Sequence, residues 1–271
     1  MQKTLPVRIL VVANQKGGVG KTTTTINLGT ALAAIGEEVL IIDFDPQGNA
    51  STGLGIERKA RAVSTYDVVV GAATLASAIL ATAVPRLHVA PSTLDLLGVE
   101  LEISSQTDRV YKLRNAIGAM LETQTVGLPN FTYVIVDCPP SLNLLTVNAL
   151  VAADAVVVPM QCEFFALEGL SQLVTTVEQI QQTLNPKLSI HGVVMTMYDP
   201  RNNLATQVVQ DVRKFMGDAV YETIIPRNVR VSEAPSFGKP VLLYDLKCPG
   251  SQAYLKLASE VIQREHKLRA A

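Results

Sequence analysis

The sequence predicts an α/β protein: a single doubly wound, mostly parallel sheet flanked by helices. Three observations predict it. Short β-branched runs alternate with helix-length patterns along the 271 residues. The first of these runs empties into a glycine-rich turn that opens a helix. Hydrophobic residues make up 48% of the chain and charged residues only 17%, a balance that suits central strands covered on both faces. The alternation argues for one sheet, and the length is accommodated by one domain spanning 1–271.

Met1 to Pro6 carry no apolar signal region and lead straight into residues 7–13 (Val-Arg-Ile-Leu-Val-Val-Ala), a run of strand length. After the glycine-rich turn a helix extends from Thr22 to about Ile35, and Gly36 ends it. Residues 38–43 (Glu-Val-Leu-Ile-Ile-Asp) read as a second buried strand finishing on a carboxylate, so a parallel βαβ unit follows. Residues 46–64 are polar and glycine-containing and read as a mobile loop. Further strands are expected at 87–90, 131–137, 155–160 and 190–197, with helical patterns between most of them. In the last helix, about Ser251 to Lys267, Leu255, Ala258 and Ile262 recur at helical spacing, the pattern of a helix docked on a core. There is no internal repeat or low-complexity segment.

The formal net charge is −1, so contact with nucleic acid or membrane has to come from a local patch. Cys138, Cys162 and Cys248 are widely separated and form no CxxC pair, which argues for structural thiols in a reducing cytoplasm. His88, His191 and His266 share no ligand spacing and read as structural. No apolar stretch reaches the length of a membrane span.

Residues 16–22, Lys-Gly-Gly-Val-Gly-Lys-Thr, carry the chemistry. A polyphosphate is strongly hydrated, and a site must replace that shell with aligned donors. Gly17, Gly18 and Gly20 let backbone N–H groups approach, with Val19 between them, and the following helix adds its N-terminal dipole. Lys21 is placed to neutralise β- and γ-phosphate charge, and the Thr22 hydroxyl to bind Mg²⁺, with Thr23 beside it. The ordinary GxxxxGK[ST] pattern fails at its first glycine, where Gln15 stands, and a lysine appears at position 16 instead.

Asn14 to Thr23 resembles the deviant phosphate loop of the ParA and MinD ATPase superfamily, relatives of the nitrogenase iron protein. Residues 43–50 (Asp-Phe-Asp-Pro-Gln-Gly-Asn-Ala), 137–141 (Asp-Cys-Pro-Pro-Ser) and 225–236 (from Ile-Pro-Arg-Asn to Ala-Pro-Ser) look like the chromosomal ParA (Soj) branch, and the likeness covers nearly the whole chain. The resemblance implies a P-loop ATPase using ATP and Mg²⁺, and a dimer that sandwiches two ATP molecules. In that dimer Lys16 crosses to the partner's phosphates; the plain alternative is a solvated lysine. It further implies binding of double-stranded DNA without sequence preference, stimulation by a ParB-type centromere-binding protein, and a cytoplasmic, nucleoid-associated location.

Asp137 ends an apolar strand, where a carboxylate beside a phosphate loop holds Mg²⁺ directly or through water. By resemblance Asp43 supports the metal site and Asp45 orients the attacking water; the alternative for both is a turn cap before Pro46. An aspartate's ordinary pKa lies far below neutral, so it orients water better than it deprotonates it, and slow turnover is expected. By resemblance the loop of Pro226, Arg227 and Asn228 holds the adenine, although Ile-Pro-Arg-Asn could be an ordinary turn. Arg201, Arg213, Lys214, Arg227, Arg230 and Lys247 could gather into a DNA-backbone surface, or remain a solvated face interrupted by Asp211, Asp218, Glu222 and Glu233.

Two other readings compete. A membrane-bound regulator of the MinD type needs a bulky amphipathic tail, whereas Gln263 to Lys267 precede a single Leu268. An iron–sulfur reductase of the nitrogenase iron protein type needs two cluster cysteines per subunit, whereas Cys138 precedes two prolines and Cys162 lies in Gln-Cys-Glu-Phe-Phe.

Overall fold

The computed structural model describes residues 7–123 and 127–270, so the expected lead-in from Met1 to Pro6 lies outside the described residues. Seven strands form one sheet: β1 (Arg8–Val12), β2 (Val39–Asp43), β3 (Leu80–Ala81), β4 (Leu87–Ala90), β5 (Tyr133–Asp137), β6 (Ala155–Gln161) and β7 (Ser189–Thr196). Their order is β3-β4-β2-β5-β1-β6-β7, and every pairing is parallel except β3 with β4. The expected strands are present to within two residues at each end. Edge strand β3, only two residues long, carries no periodicity to read.

The helices are α1 (Lys21–Ile35), α2 (Asn49–Gly53), α3 (Thr65–Val70), α4 (Leu75–Ala78), α5 (Val99–Glu102), α6 (Lys112–Thr123), α7 (Leu144–Ala152), α8 (Ala166–Thr183), α9 (Asn203–Met216), α10 (Val229–Glu233), α11 (Val241–Tyr244) and α12 (Pro249–Ala270). Successive strand residues point to opposite faces. Leu10, Val12 and Ile41 therefore pack with Leu28 and Leu32 of α1 and Tyr254 and Leu257 of α12. Val11, Leu40 and Ile42 pack on the other face with Leu113 and Ile117 of α6 and Leu150 of α7. Each such aliphatic side chain contributes about 1.5–3 kcal/mol when fully buried. In α12, Ala258 is fully buried and Leu255 and Ile262 are half-buried, so this helix docks on the core.

Residues 46–64 depart from expectation. Instead of a mobile loop they form α2 and a single 3₁₀ turn, Arg58–Ala60, folded against the body. The cause is Arg61, 8% exposed. Its guanidinium donates to the carbonyls of Ile56 (2.8 Å) and Ser92 (3.1 Å) and to Thr52 Oγ1 (2.7 Å). Polar composition concealed a buried cation whose acceptors are mostly backbone oxygens.

The sheet places the site. Strand β1 lies between β5 and β6, and the chain leaves β1 toward β2 on one side and returns from β5 to β6 on the other. The turn after β1 thus sits in the crevice at the carboxyl edge, where ligands of open α/β sheets bind. Register brings Asp137 opposite both Val12 and Asp43, so two carboxylates meet the phosphate loop.

Candidate functional site

Asn14, 6% exposed, anchors the loop after β1. Its Nδ2 donates to the Pro159 carbonyl (2.8 Å) and its Oδ1 accepts from the Lys16 N–H (2.9 Å). Gly18 and Gly20 have φ of +76° and +89°, values glycine adopts without steric penalty. Gly20 caps α1 with no side-chain hydrogen bond, leaving the helix's first amides free of any capping side chain. The Val19 carbonyl accepts from Thr196 Oγ1 (2.8 Å), which clamps the loop to the tip of β7. Thr22 and Thr23 follow, half-buried in the first turn. Lys21 is buried, and its Nζ donates to the Lys16 carbonyl (2.8 Å). Burial lowers its pKa, opposed by the charges of Asp137, Cys138 and Asp45.

Three carboxylates converge here in different circumstances. Asp43 is fully buried; its Oδ2 accepts from Ser51 N–H (2.7 Å) and Ser51 Oγ (2.6 Å). Asp137 is also fully buried: Thr25 Oγ1 donates to its Oδ1 (2.9 Å), and its Oδ2 has no hydrogen bond. Burial pushes both carboxyls up, and the neighbouring charge of Asp43 raises Asp137 further. An orphaned buried oxygen on a carboxyl held above its ordinary range fits a bound dication, with Thr22 as the neighbouring hydroxyl. Asp43, already committed to Ser51, fits as a support rather than a direct ligand. Among the described residues no three His, Cys, Asp or Glu form a metal cage. Asp45 is 7% exposed; its Oδ1 accepts from Gln47 N–H (3.0 Å), the turn-cap contact, and its Oδ2 makes no hydrogen bond among the described residues.

Lys16 points outward. Its Nζ pairs with Glu163 on the rim, and both side chains are about two-fifths exposed. Phe164 and Phe165, which follow Glu163 in the chain, are exposed at 75% and 63%. Pro140 lies 4.0 Å from where a Cβ on Gly17 would sit, so the Asp137–Ser141 segment abuts the loop.

The remaining residues are only partly assembled. Pro226 lines a cavity of about 540 Å³ with Tyr198, Thr223 and Gln252, but Asn228 does not. Asn228 Oδ1 instead accepts from Val231 N–H (3.3 Å) and caps α10. The six basic residues do not form one patch. Arg201 holds Asp199 with two bonds (2.9 and 2.7 Å), and Arg227 lies near enough for its charge to help lower Asp199. Arg230 pairs with Glu233 (3.1 Å) and approaches Asp245, two residues from Lys247. Arg213 and Lys214 sit in the last turn of α9, about 15 Å by helix rise from its first residue, and Arg213 donates to the carbonyls of Tyr221 and Glu222.

The three thiols are free and buried, and burial raises the pKa of Cys138 and Cys162, so neither is poised as a thiolate ligand. Asn14, Thr25, Ser51, Ser92 and Glu163 escaped the sequence reading. Asn14, which opens the phosphate-loop motif, and Thr25, in the threonine run after Lys21, had a local signal.

A family described as an AAA domain matches residues 7–190. The chain is 62% identical over 265 residues to the chromosome partitioning protein ParA of Caulobacter vibrioides, covering 98% of this chain and 97% of that one. It is 52% identical to the sporulation initiation inhibitor protein Soj of Bacillus subtilis, covering 94% and 98%. Among solved structures it is similar to a cobyrinic acid a,c-diamide synthase of Mycobacterium smegmatis with bound ATP analogue and magnesium, at TM-score 0.83 and 35% identity over 95% of each chain. With a deviant phosphate loop at the switch point of a doubly wound sheet and identity of this extent, the chain belongs to the ParA/Soj family of chromosome-partitioning ATPases.

Proposed function

We propose that this partitioning ATPase works as a nucleotide-gated clamp. ATP with Mg²⁺ joins two copies, the dimer holds double-stranded DNA of the nucleoid without sequence preference, and hydrolysis, stimulated by a ParB-type protein in the cytoplasm, releases it. The observation that carries this reading is the division of labour between two lysines. Lys21 is folded inside its own loop, whereas Lys16 stands outside it on a rim with exposed phenylalanines. A cation outside the loop is available to a partner's triphosphate.

In the reaction, backbone amides of residues 17–22 and the Lys21 ammonium hold the β- and γ-phosphates. Asp45 orients a water for in-line attack on the γ-phosphorus; the bond to the bridging oxygen breaks, and ADP and phosphate leave. Thr22 and Asp137, with Asp43 behind them, would hold Mg²⁺, which would supply neutralisation of the phosphate charge. Phosphate release removes what Lys16 grips, so the chemistry resets a binding state.

Arg227 and Arg230, both exposed at the start of α10, support the DNA-holding part of the reading. Replacing both with alanine is expected to weaken ATP-dependent retention on non-specific duplex and to flatten the salt dependence by about one to two in the log–log slope. Retention measured across a salt series checks this; unchanged affinity and slope would remove this surface from the proposal.

A further inference from the structure

The segment leaving β4 carries a feature that nucleotide chemistry does not use. A 3₁₀ turn, Leu94–Gly98, runs directly into α5. In a 3₁₀ turn residues three apart eclipse one another, and in an α-turn residues four apart share a face. Leu94, Leu97 and Leu101 therefore line one ridge, exposed at 53%, 66% and 82%. The opposite side is already anchored, since Leu96, Val99 and Ile103 are at most 1% exposed. The ridge contributes nothing to its own core, and contiguous leucines in water mark a contact surface.

Charge identifies what fits it. No lysine or arginine occurs between Arg86 and Arg109, while Asp95, Glu100, Glu102 and Asp108 do. Glu102 is engaged by Tyr66 (3.0 Å to each oxygen), Asp95 by Thr93 (2.9 Å) and Asp108 by the Lys112 ammonium (3.0 Å); Glu100 is exposed and makes no ion pair among the described residues. Acidic flanks repel DNA phosphates and anionic lipid, and attract a lysine- or arginine-bearing segment. An apolar ridge edged by carboxylates is complementary to a basic amphipathic helix.

The root of the ridge is bonded to the main chain of Asp45 and, through Ser51, to the Asp43 carboxylate. Ser92, two residues before Leu94, donates through Oγ to the Asp45 carbonyl (2.7 Å) and through N–H to Ser51 Oγ (3.1 Å), and that hydroxyl donates to Asp43 (2.6 Å). A displacement of this backbone moves Asp45.

We propose that the Leu94–Leu97–Leu101 ridge is the docking surface for a basic amphipathic helix of a protein partner, and that its occupation acts on Asp45 through Ser92. The proposal rests on the reading of a partner-stimulated partitioning ATPase. The test uses the full chain with ATP and the ParB-type protein encoded by the same genome as probe, following phosphate release against partner concentration. Leu97→Ser with Leu101→Ser is expected to leave the basal rate unchanged and to raise the half-maximal partner concentration at least about tenfold. Glu100→Lys, at an exposed position that cannot disturb the fold, is expected to shift it in the same direction by a smaller factor that vanishes at high salt. Stimulation of both variants identical to the parent's overturns the ridge and leaves the ATPase and DNA reading intact. A parent chain that the partner neither binds nor stimulates overturns the ridge together with partner stimulation. Loss of the ATP-dependent dimer in the leucine variant, without any partner, makes the ridge a face between copies and also overturns the proposal.

Discussion

Burial of Asp137 beside Asp43 puts two carboxyls where, without a cation, a second negative charge is strongly disfavoured. The consequence has a definite sign. Asp137 is raised from 3.8 to about 8, so the folded, metal-free chain keeps a proton that the unfolded chain releases. That stabilises the fold fully below the ordinary carboxylate range and is lost as pH rises through the folded value. Magnesium binding must expel the proton, so apparent Mg²⁺ affinity with ADP is expected to rise by up to about tenfold per pH unit below that value and then level off. Calorimetry across about pH 6 to 9 checks this, and Asp137→Asn is expected to give weak binding with a flat profile. At this scale the sequence shows the residues proposed to carry the reaction but not those that hold them. Lys16 and Lys21 are legible because a phosphate loop needs glycines and cations at fixed spacing. Glu163 and Ser92 are not, because their partners lie 147 and 47 positions away and only the sheet brings them together.

Strands and long helices announced themselves because each buries an uninterrupted aliphatic face. Residues 46–64 did not, since their anchor is one arginine bonded to carbonyl oxygens that any sequence possesses. Arg61→Ala would strand the Ser92 and Gly48 carbonyls in a buried site, leave the half-buried Ile56 carbonyl without its donor, and loosen the backbone that sets Asp45. A loss of about 3 kcal/mol is expected, from several charge-assisted bonds of about 1.5–3 kcal/mol each with partial rehydration. Chemical denaturation measures it; a change below about 1 kcal/mol would show that the segment is held by something else. Arg61→Lys should recover little, because an ammonium cannot span acceptors that the guanidinium reaches together. The same limit explains Asn228. Its amide was readable as a contact to a base, but in the fold its oxygen caps α10.

At the level of the whole molecule the proposed cycle separates assembly from chemistry, and two substitutions divide them. With ATP and Mg²⁺, Asp45→Ala is expected to form the dimer and hold it, with phosphate release reduced at least about a hundredfold. Lys16→Ala is expected to remain a monomer. Light-scattering mass and phosphate release, read on the same samples, check both; an Asp45→Ala chain hydrolysing ATP at the parental rate refutes its assignment. The doubly wound architecture was legible apart from edge strand β3 and the ordered segment 46–64, whereas the dispersal of the six basic residues was not, because charge along a sequence carries no information about which end of a helix faces which. The contact between Lys16 and Glu163 gives the proposed association a particular character. The lysine does not arrive from bulk water with an unsatisfied charge; it leaves one anion for another, and Glu163 is released as the partner's phosphate takes its place. Assembly is then an exchange reaction, whose driving force is the difference between two similar attractions. A small difference can be reversed by losing a single phosphate, so a timer that must both close and reopen gains from a counter-ion waiting on the rim.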